Sequence, residues 1–332
     1  VRIAVLGAGA IGGTIAALFD RAGHDVEVTA RGEHLNSIRR SGLHLDGAWG
    51  QHTAWVRSGE KLDITPDLAV LCTKAQDAED ALRANRRTID GTLLVVVQNG
   101  LEALTASARH VRTARLVGAL TLFAANHLEP GQITVTYAAP TTLGIPGLPA
   151  NDEVDRAAAI LAEAVPTTTT DNFVGTQWTK LLINELNALP AITGLSVQET
   201  VAEPGLRRVL ARALRETART GLASGVRFGA LQGLSHQRVR ALAIAPLRLV
   251  EMLPRRTAIR MGKVPNQGST LQSILRGVPS EIDHLSGGVV RAAHRVGRDA
   301  PVNQLLVDLV HEIERSGAFL EPGEVVRRFA SL

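Results

Sequence analysis

The opening of this chain constrains its fold more than anything that follows. Arg2-Ile3-Ala4-Val5-Leu6, a compact aliphatic run, passes directly into Gly7-Ala8-Gly9-Ala10-Ile11-Gly12-Gly13, and from there into an amphipathic stretch extending to Ala22. A strand, a G-x-G-x-x-G turn and a helix in immediate succession read as a dinucleotide-binding turn. Gly7 permits the tight turn, Gly9 lets the backbone approach a pyrophosphate, and Gly12 lets the helix lie close on the strand. Free amides at the start of the helix, aided by its dipole, would hold the phosphates. Gly7, Ala8, Gly9, Ala10, Ile11 and Gly12 are therefore the expected cofactor loop. A glycine-rich turn without a ligand is the plainer alternative, and the flanking strand and helix argue against it.

The second strand selects the dinucleotide. An acid at its end would hydrogen-bond the ribose hydroxyls of NAD, but here the run closes Val28-Thr29-Ala30-Arg31. The planar guanidinium of Arg31 suits the 2′-phosphate of NADP, which an acid would repel. NADP(H) is the expected cofactor. Glu33, two residues on, complicates this reading, and Arg31 as a simple surface residue is the alternative.

From Val1 to about Ala139 compact aliphatic runs alternate with helical stretches, as a parallel sheet with crossover helices requires. Arg2 to Leu6, Val26 to Thr29, Leu68 to Cys72, Leu93 to Val97 and Leu116 to Leu120 are predicted strands, with helices at Ala10 to Ala22 and Gln76 to Asn85. Gln132 to Tyr137 alternates polar and apolar after the Pro130-Gly131 turn and predicts a small antiparallel addition. A helix from about Asp152 to Ala164 and a last strand at Thr167 to Thr170 follow, and beyond them the pattern is helical almost throughout. The expected fold is α/β in two domains. Residues 1–171 form an N-terminal, NADP-binding Rossmann-type doubly wound sheet, and residues 172–332 a mainly α-helical substrate and catalytic domain, with ligand expected in the cleft between them.

Composition narrows the function classes. Of 332 residues, 45% are apolar and 20% charged, which is ordinary for a globular protein, while 3% aromatic content argues against stacked-base readout of single strands. A net charge of +4 suits a small anionic ligand and is too mild to imply nucleic acid as a partner. The single cysteine, Cys72, makes no internal disulfide, and no Cys/His spacing suggests a metal, so a reducing cytoplasm is the expected compartment. No apolar run approaches the ~20 residues of a membrane helix, and the first residues lack the charged lead of a signal peptide. A soluble protein that partners neither membrane nor nucleic acid is expected, and a homodimer is one assembly the sequence allows. Between Leu206 and Arg260 stand twelve arginines against two acids, Glu216 and Glu251. They read as a solvated helix face or an anion-binding surface, the former being the plainer.

The second half opens with Trp178-Thr179-Lys180-Leu181-Leu182-Ile183-Asn184-Glu185-Leu186-Asn187. Lys180, Asn184 and Asn187 are spaced i, i+4, i+7, so on one helix they would share a face. A lysine beside amides can protonate an oxyanion while the amides orient the substrate, although a solvent-facing stripe has the same spacing. Spacing alone leaves both open.

Taken together, these blocks resemble the ketopantoate reductase (2-dehydropantoate 2-reductase) family, which reduces 2-dehydropantoate to pantoate with NADPH in pantothenate biosynthesis. Beyond the glycine loop and Arg31, the similarity includes Lys74-Ala75-Gln76, Gln98-Asn99-Gly100, Trp178-Thr179-Lys180-Leu181 with Asn184, and Asn266, Ser269, Leu271-Gln272 and Ser280-Glu281-Ile282-Asp283. The resemblance implies that Lys180 is the catalytic acid and that Glu281 binds the substrate hydroxyl region. It implies further that Asn99 sits between nicotinamide and substrate, that Lys74 and Gln76 lie along the cofactor cleft, and that Asn184, Asn266 and Ser269 hold the substrate. Plainer roles exist. Glu281 could be an acid at the start of a helix opened by Pro279-Ser280, and Asn99-Gly100 a simple turn. The chain departs from the family pattern at Ala188, Thr270 and Ser273, which motivates another 2-oxo acid or carbonyl substrate as the alternative, with a non-catalytic NADP(H)-sensing protein behind it.

Overall fold

A computed structural model describes residues 1–111, 114–261 and 265–332. The chain divides into two compact units, Val1–Phe173 and Val174–Leu332.

The first unit is built on an eight-stranded sheet. In spatial order its strands are Thr167–Thr169, Thr141–Gly144, Arg115–Thr121, Leu93–Val97, Leu68–Leu71, Arg2–Leu6, Asp25–Thr29 and Arg57–Gly59. Every neighbouring pair from Arg115–Thr121 to Arg57–Gly59 is parallel. Thr141–Gly144 then runs antiparallel to Arg115–Thr121, with Thr167–Thr169 parallel beyond it. The central strands are fully buried, as sheets covered on both faces must be, and this is why they read as unbroken Val/Leu/Ile runs. From Arg2–Leu6 the chain moves outward to one edge, then returns to lay Leu68–Leu71 on the opposite side. The strand order thus reverses between Leu6 and Leu71, and a crevice opens at their carboxyl ends.

A second sheet, in the order His52–Ala54, Leu43–Gly47, Gln132–Tyr137, Ala124–Asn126, was not foreseen as a layer of its own. Gln132–Tyr137 is antiparallel to Ala124–Asn126, as the alternation predicts, but parallel to Leu43–Gly47, from which it is far separated in sequence. The helix Ala10–Arg21 lies between the two sheets. A Cβ at Gly12 would come within 2.8 Å of Cys72 Cβ on the large-sheet side, and one at Gly13 within 2.0 Å of Ile133 Cδ1 on the small-sheet side. Adjacent glycines therefore let one helix pack on two layers at once, and the start of that helix is held from both sides.

The second unit is helical. Its hub is Pro204–Ala223, with proline in the first turn and the Glu203 carboxylate accepting from the Leu206 amide. Its buried positions, including Leu206, Val209, Leu210, Ala213, Leu214 and Thr217, recur every three or four residues. Around it pack His236–Ile244, Ser286–Arg295, Pro301–Ser316 and Pro322–Phe329. Among the described residues no helix is long and apolar enough to cross a membrane.

Candidate active site: a glycine loop and a half-buried lysine

In the first unit the loop Gly7–Gly12 occupies the point where the strand order reverses. Gly7 has φ +97°, and a Cβ there would lie 2.8 Å from Thr73 Cγ2 and 3.0 Å from Thr73 N, so conformation and crowding both demand glycine. At Gly12 a Cβ would sit 2.0 Å from the Gly7 carbonyl oxygen. Gly9 is different. Its φ is −68°, open to any residue, and a Cβ would meet no atom of the described residues within 4 Å. Among the described residues nothing requires a glycine at position 9. The helix that follows has no acid in its first turn and no side-chain cap, leaving its amides and positive dipole end uncompensated.

Thr29, which ends the second strand, grips this loop. Its Oγ1 accepts from Gly7 N and its carbonyl from Ala8 N, both at 2.9 Å. Arg31, two residues on, is exposed at the N-cap of the helix Gly32–Ser41 and so stands beside the loop. Glu33 is engaged with Arg40 at 3.5 Å and with Asn36 at 3.4 Å. The acid that complicated the Arg31 reading is thus directed along its own helix.

Two contributors, His34 and Thr73, escaped the sequence reading. His34 Nε2 donates to Ala8 O at 2.7 Å, while its Nδ1 accepts from Gly131 N at 3.0 Å and lies 3.1 Å from His127 Nε2. With one nitrogen donating and the other accepting, the ring is neutral, and burial holds its pKa below the usual histidine value against the opposing bond to Ala8. Thr73, facing Gly7, has a buried hydroxyl without a hydrogen-bond partner among the described residues. Its carbonyl accepts from Gln98 Nε2 at 2.8 Å, linking the ends of two neighbouring strands. Lys74 is the N-cap of the helix Ala75–Ile89, and exposed Gln76 lies in its first turn. Half-buried Asn99 follows the strand Leu93–Val97, just before Gly100 with φ +91°. Gly7, Thr73 and Asn99 accordingly line the carboxyl ends of three adjacent strands, where open α/β sheets bind ligands. An open Gly9, an uncapped helix start and an unsatisfied Thr73 hydroxyl fit a phosphate-bearing dinucleotide.

In the second unit Lys180 lies on the helix Phe173–Asn184. The helix is fixed by its opposite side: Thr179 Oγ1 donates to Gly229 O at 2.7 Å, and buried Trp178 meets Phe228 edge-on at 6.2 Å. Burial pushes the Lys180 pKa down to about 8, and the negative charge of Glu281 works in the opposite direction. Asn184, one turn on from Lys180, is buried. The helix stops there. Glu185–Asn187 is a 3₁₀ turn and a new helix runs Ala188–Thr193, because Pro190 has no amide to give and its ring clashes with the carbonyl four residues back. The single face expected for Lys180, Asn184 and Asn187 is therefore interrupted, and Asn187 instead sits against Gly268, where a Cβ would be 2.6 Å from Asn187 Oδ1.

Glu281 does not cap a helix, correcting the plainer expectation. Glu281 lies at a bend followed by a turn over residues 282–285, and the helix begins at Ser286. The run is anchored by a frame that sequence reasoning missed. Ser280 N donates to Glu314 Oε1 at 2.8 Å, and His311 bridges Glu314 Oε2 at 2.8 Å to Asp283 Oδ1 at 3.0 Å. Burial opposes protonation of His311, yet these two carboxylates raise its pKa above the usual value. Ile282, buried beneath, fixes the turn from inside.

Asn266 precedes the helix Gly268–Leu275. Its Oδ1 accepts from Gly268 N at 2.8 Å and its amide donates to Gln198 Oε1 at 2.9 Å. Ser269 is exposed in the first turn of that helix. The residues that depart from the family pattern, Ala188, Thr270 and Ser273, are all at most 3% exposed, on two helices that pack together.

A parallel sheet of this order with a glycine loop at its reversal, in a chain whose helical unit bears a half-buried lysine of lowered pKa, is the frame of a nicotinamide-dependent oxidoreductase, and the family matches bear this out. The family model described as ketopantoate reductase PanE/ApbA matches residues 3–147, and the model of that family's C-terminal part matches residues 172–314. The chain belongs to the ketopantoate reductase family. It is 30% identical to a 2-dehydropantoate 2-reductase of Halobacterium salinarum, over 96% of this chain and 100% of that one. A crystal structure of a PanE/ApbA family ketopantoate reductase from Ralstonia eutropha JMP134 superposes with a TM-score of 0.80 at 29% identity, covering 95% of this chain and 99% of that one. The complex of D-mandelate dehydrogenase with NADH shares the fold with a TM-score of 0.78 at 20% identity, covering 95% and 99%.

Proposed function

We propose that this protein reduces a small 2-oxo acid with NADPH, and that the substrate is 2-dehydropantoate, converted to pantoate as in pantothenate biosynthesis. The observation that carries this reading is the placement of Lys180, half-buried one helical turn from buried Asn184, where desolvation pushes its pKa down to about 8 against the opposing charge of Glu281. Such a group is poised to give up a proton close to neutral pH.

Gly7, Ala8, Gly9, Ala10, Ile11 and Gly12 would hold the pyrophosphate, Arg31 the 2′-phosphate, and Lys74, Gln76 and Asn99 the remainder of the cofactor. When bound, NADPH supplies the hydride equivalent that reduces the carbonyl carbon. Lys180 donates a proton to the carbonyl oxygen as negative charge develops there. Asn184 and Glu281 orient that oxygen and the substrate hydroxyl, and Ser269 with Asn266 steadies the carboxylate end.

Initial rates of NADPH oxidation with 2-dehydropantoate and a panel of other 2-oxo acids test the reading. The highest kcat/KM should fall to 2-dehydropantoate, and Lys180→Ala should lose about 10²-fold or more of it while binding NADPH unchanged. Full activity in that variant, or a clear preference for another acid, would overturn the proposal. Arg31→Ala should narrow the NADPH-over-NADH preference, and an unchanged ratio would remove Arg31 from cofactor selection.

A further inference from the structure

The arginine-rich stretch of the second unit gathers four guanidiniums around one cavity. Arg212, Arg215 and Arg219, spaced i, i+3, i+7, share one side of the helix Pro204–Ala223. Arg298, from the turn after the helix Ser286–Arg295, joins them around a volume of about 250 Å³ that Glu216 and Asp299 also line. We propose that this cavity is a binding site for a small phosphate-bearing anion. None of its lining residues belongs to the cofactor or catalytic sets assigned above.

Charge balance carries the inference. Arg212 donates to the Phe329 carbonyl at 2.8 Å and Arg219 to the Ala243 carbonyl at 2.8 Å, both neutral partners. Among the described residues, none of the four has a carboxylate within ion-pair distance. The Glu216 carboxylate is already committed, accepting from Val302 N at 3.1 Å, Asn303 N at 2.8 Å and Asn303 Nδ2 at 2.9 Å at the start of the helix Pro301–Ser316. Asp299 points to solvent, its side chain 93% exposed and 4.0 Å from His294. Four cations thus face two acidic side chains, one spent on capping a helix and the other solvated, with Leu332 also on the lining. Partial burial, followed by the charges of Arg219 and Arg212, depresses the pKa of Arg215, a repulsion that a bound anion would relieve.

Size and charge choose the ligand class. A cavity of this volume falls below the ~300–1,000 Å³ typical of sites for drug-sized ligands, so the ligand is compact. Guanidinium forks match tetrahedral phosphate oxygens bidentately, and a phosphate group places up to two negative charges in a small volume.

Calorimetric titration of the full chain, its cofactor site first saturated with NADP+, with inorganic diphosphate at ionic strength held constant with NaCl tests the site. One-to-one binding is expected in the wild type, weakened about tenfold in each of Arg215→Gln and Arg298→Gln. Arg298 lies in an exposed turn, so its variant remains informative even where Arg215→Gln fails to fold. Binding undiminished in Arg298→Gln, or no heat beyond that of NaCl, would overturn the proposal. So would citrate binding as tightly as diphosphate, since the site would then be one for polycarboxylates.

Discussion

Replacing Lys180 with methionine should stabilise the fold while abolishing the chemistry proposed for it. The lysine is held at about 8 against an ordinary value of 10.5, with burial lowering it and Glu281 raising it. That separation, at 1.36 kcal/mol per unit, puts the penalty of keeping the charged form in the folded state at about 3 kcal/mol. The attraction to Glu281 is already contained in the net shift. Below pH 8 both folded and unfolded chains carry the proton, and the penalty is fully present. Between 8 and 10.5 the folded chain has released its proton and the unfolded chain has not, so wild-type stability rises with pH through this window and the penalty fades. Methionine fills a similar length without a charge. Urea denaturation at constant ionic strength should therefore show Lys180→Met more stable than wild type by about 3 kcal/mol at pH 7, with most of the gain gone at pH 10.5. No gain at pH 7, or the same gain at both pH values, would refute the view that Lys180 is a destabilised, functional cation.

Other perturbations have separate readouts. Glu185, buried and hydrogen-bonded by Thr217 Oγ1 at 2.6 Å, has a pKa pushed up to about 8 by burial, so it is protonated in the folded chain at pH 7. Because its folded pKa lies above the unfolded one, wild-type stability should fall as pH rises from about 4.5 to about 8, and Glu185→Gln should flatten that fall in denaturant melts. Gly9→Ala should fold with unchanged stability yet bind NADPH at least about tenfold more weakly, since the methyl meets no protein atom but enters the space assigned to pyrophosphate. Gly12→Ala, whose methyl would strike the Gly7 carbonyl, should instead lose thermal stability. His311→Leu should raise KM for the oxo acid several-fold with little change in NADPH affinity, because it releases Asp283 and Glu314 on either side of Glu281. The same rise in KM should develop in the wild type as pH climbs through the elevated pKa of His311, and a KM unmoved in both experiments would limit the frame to a structural role.

What was legible in the sequence was what is written locally. The glycine loop declares itself because strand, turn and helix are consecutive, and the parallel strands because burial on both faces forces unbroken aliphatic runs. Helical spacing drew attention to Lys180 and Asn184 but left their role open, and the roles proposed for them and for Glu281 rest on short blocks of recognisable order. The rest depended on residues far apart in the chain. His34 reaches the glycine loop across 26 positions and Gly131 across 97, and nothing around His34 marks it as a tether. The frame behind Glu281 joins Asp283 to His311 and Ser280 to Glu314, spacings that sequence patterns do not report. Parallel pairing of Gln132–Tyr137 with Leu43–Gly47 was hidden for the same reason. Asn187 was placed on the Lys180 face by spacing alone, although Pro190 already carried the physical reason for a break.

The role of Lys180 as the acid is tested most directly by the pH dependence of kcat/KM for NADPH-driven reduction of 2-dehydropantoate. The rate should fall along a limb centred near 8, where the half-buried ammonium loses its proton, and that limb should move to lower pH in Glu281→Gln, which removes the charge that raises the lysine. A profile flat from about pH 6.5 to about pH 9.5, or a limb that stays in place when Glu281 is neutralised, would contradict it.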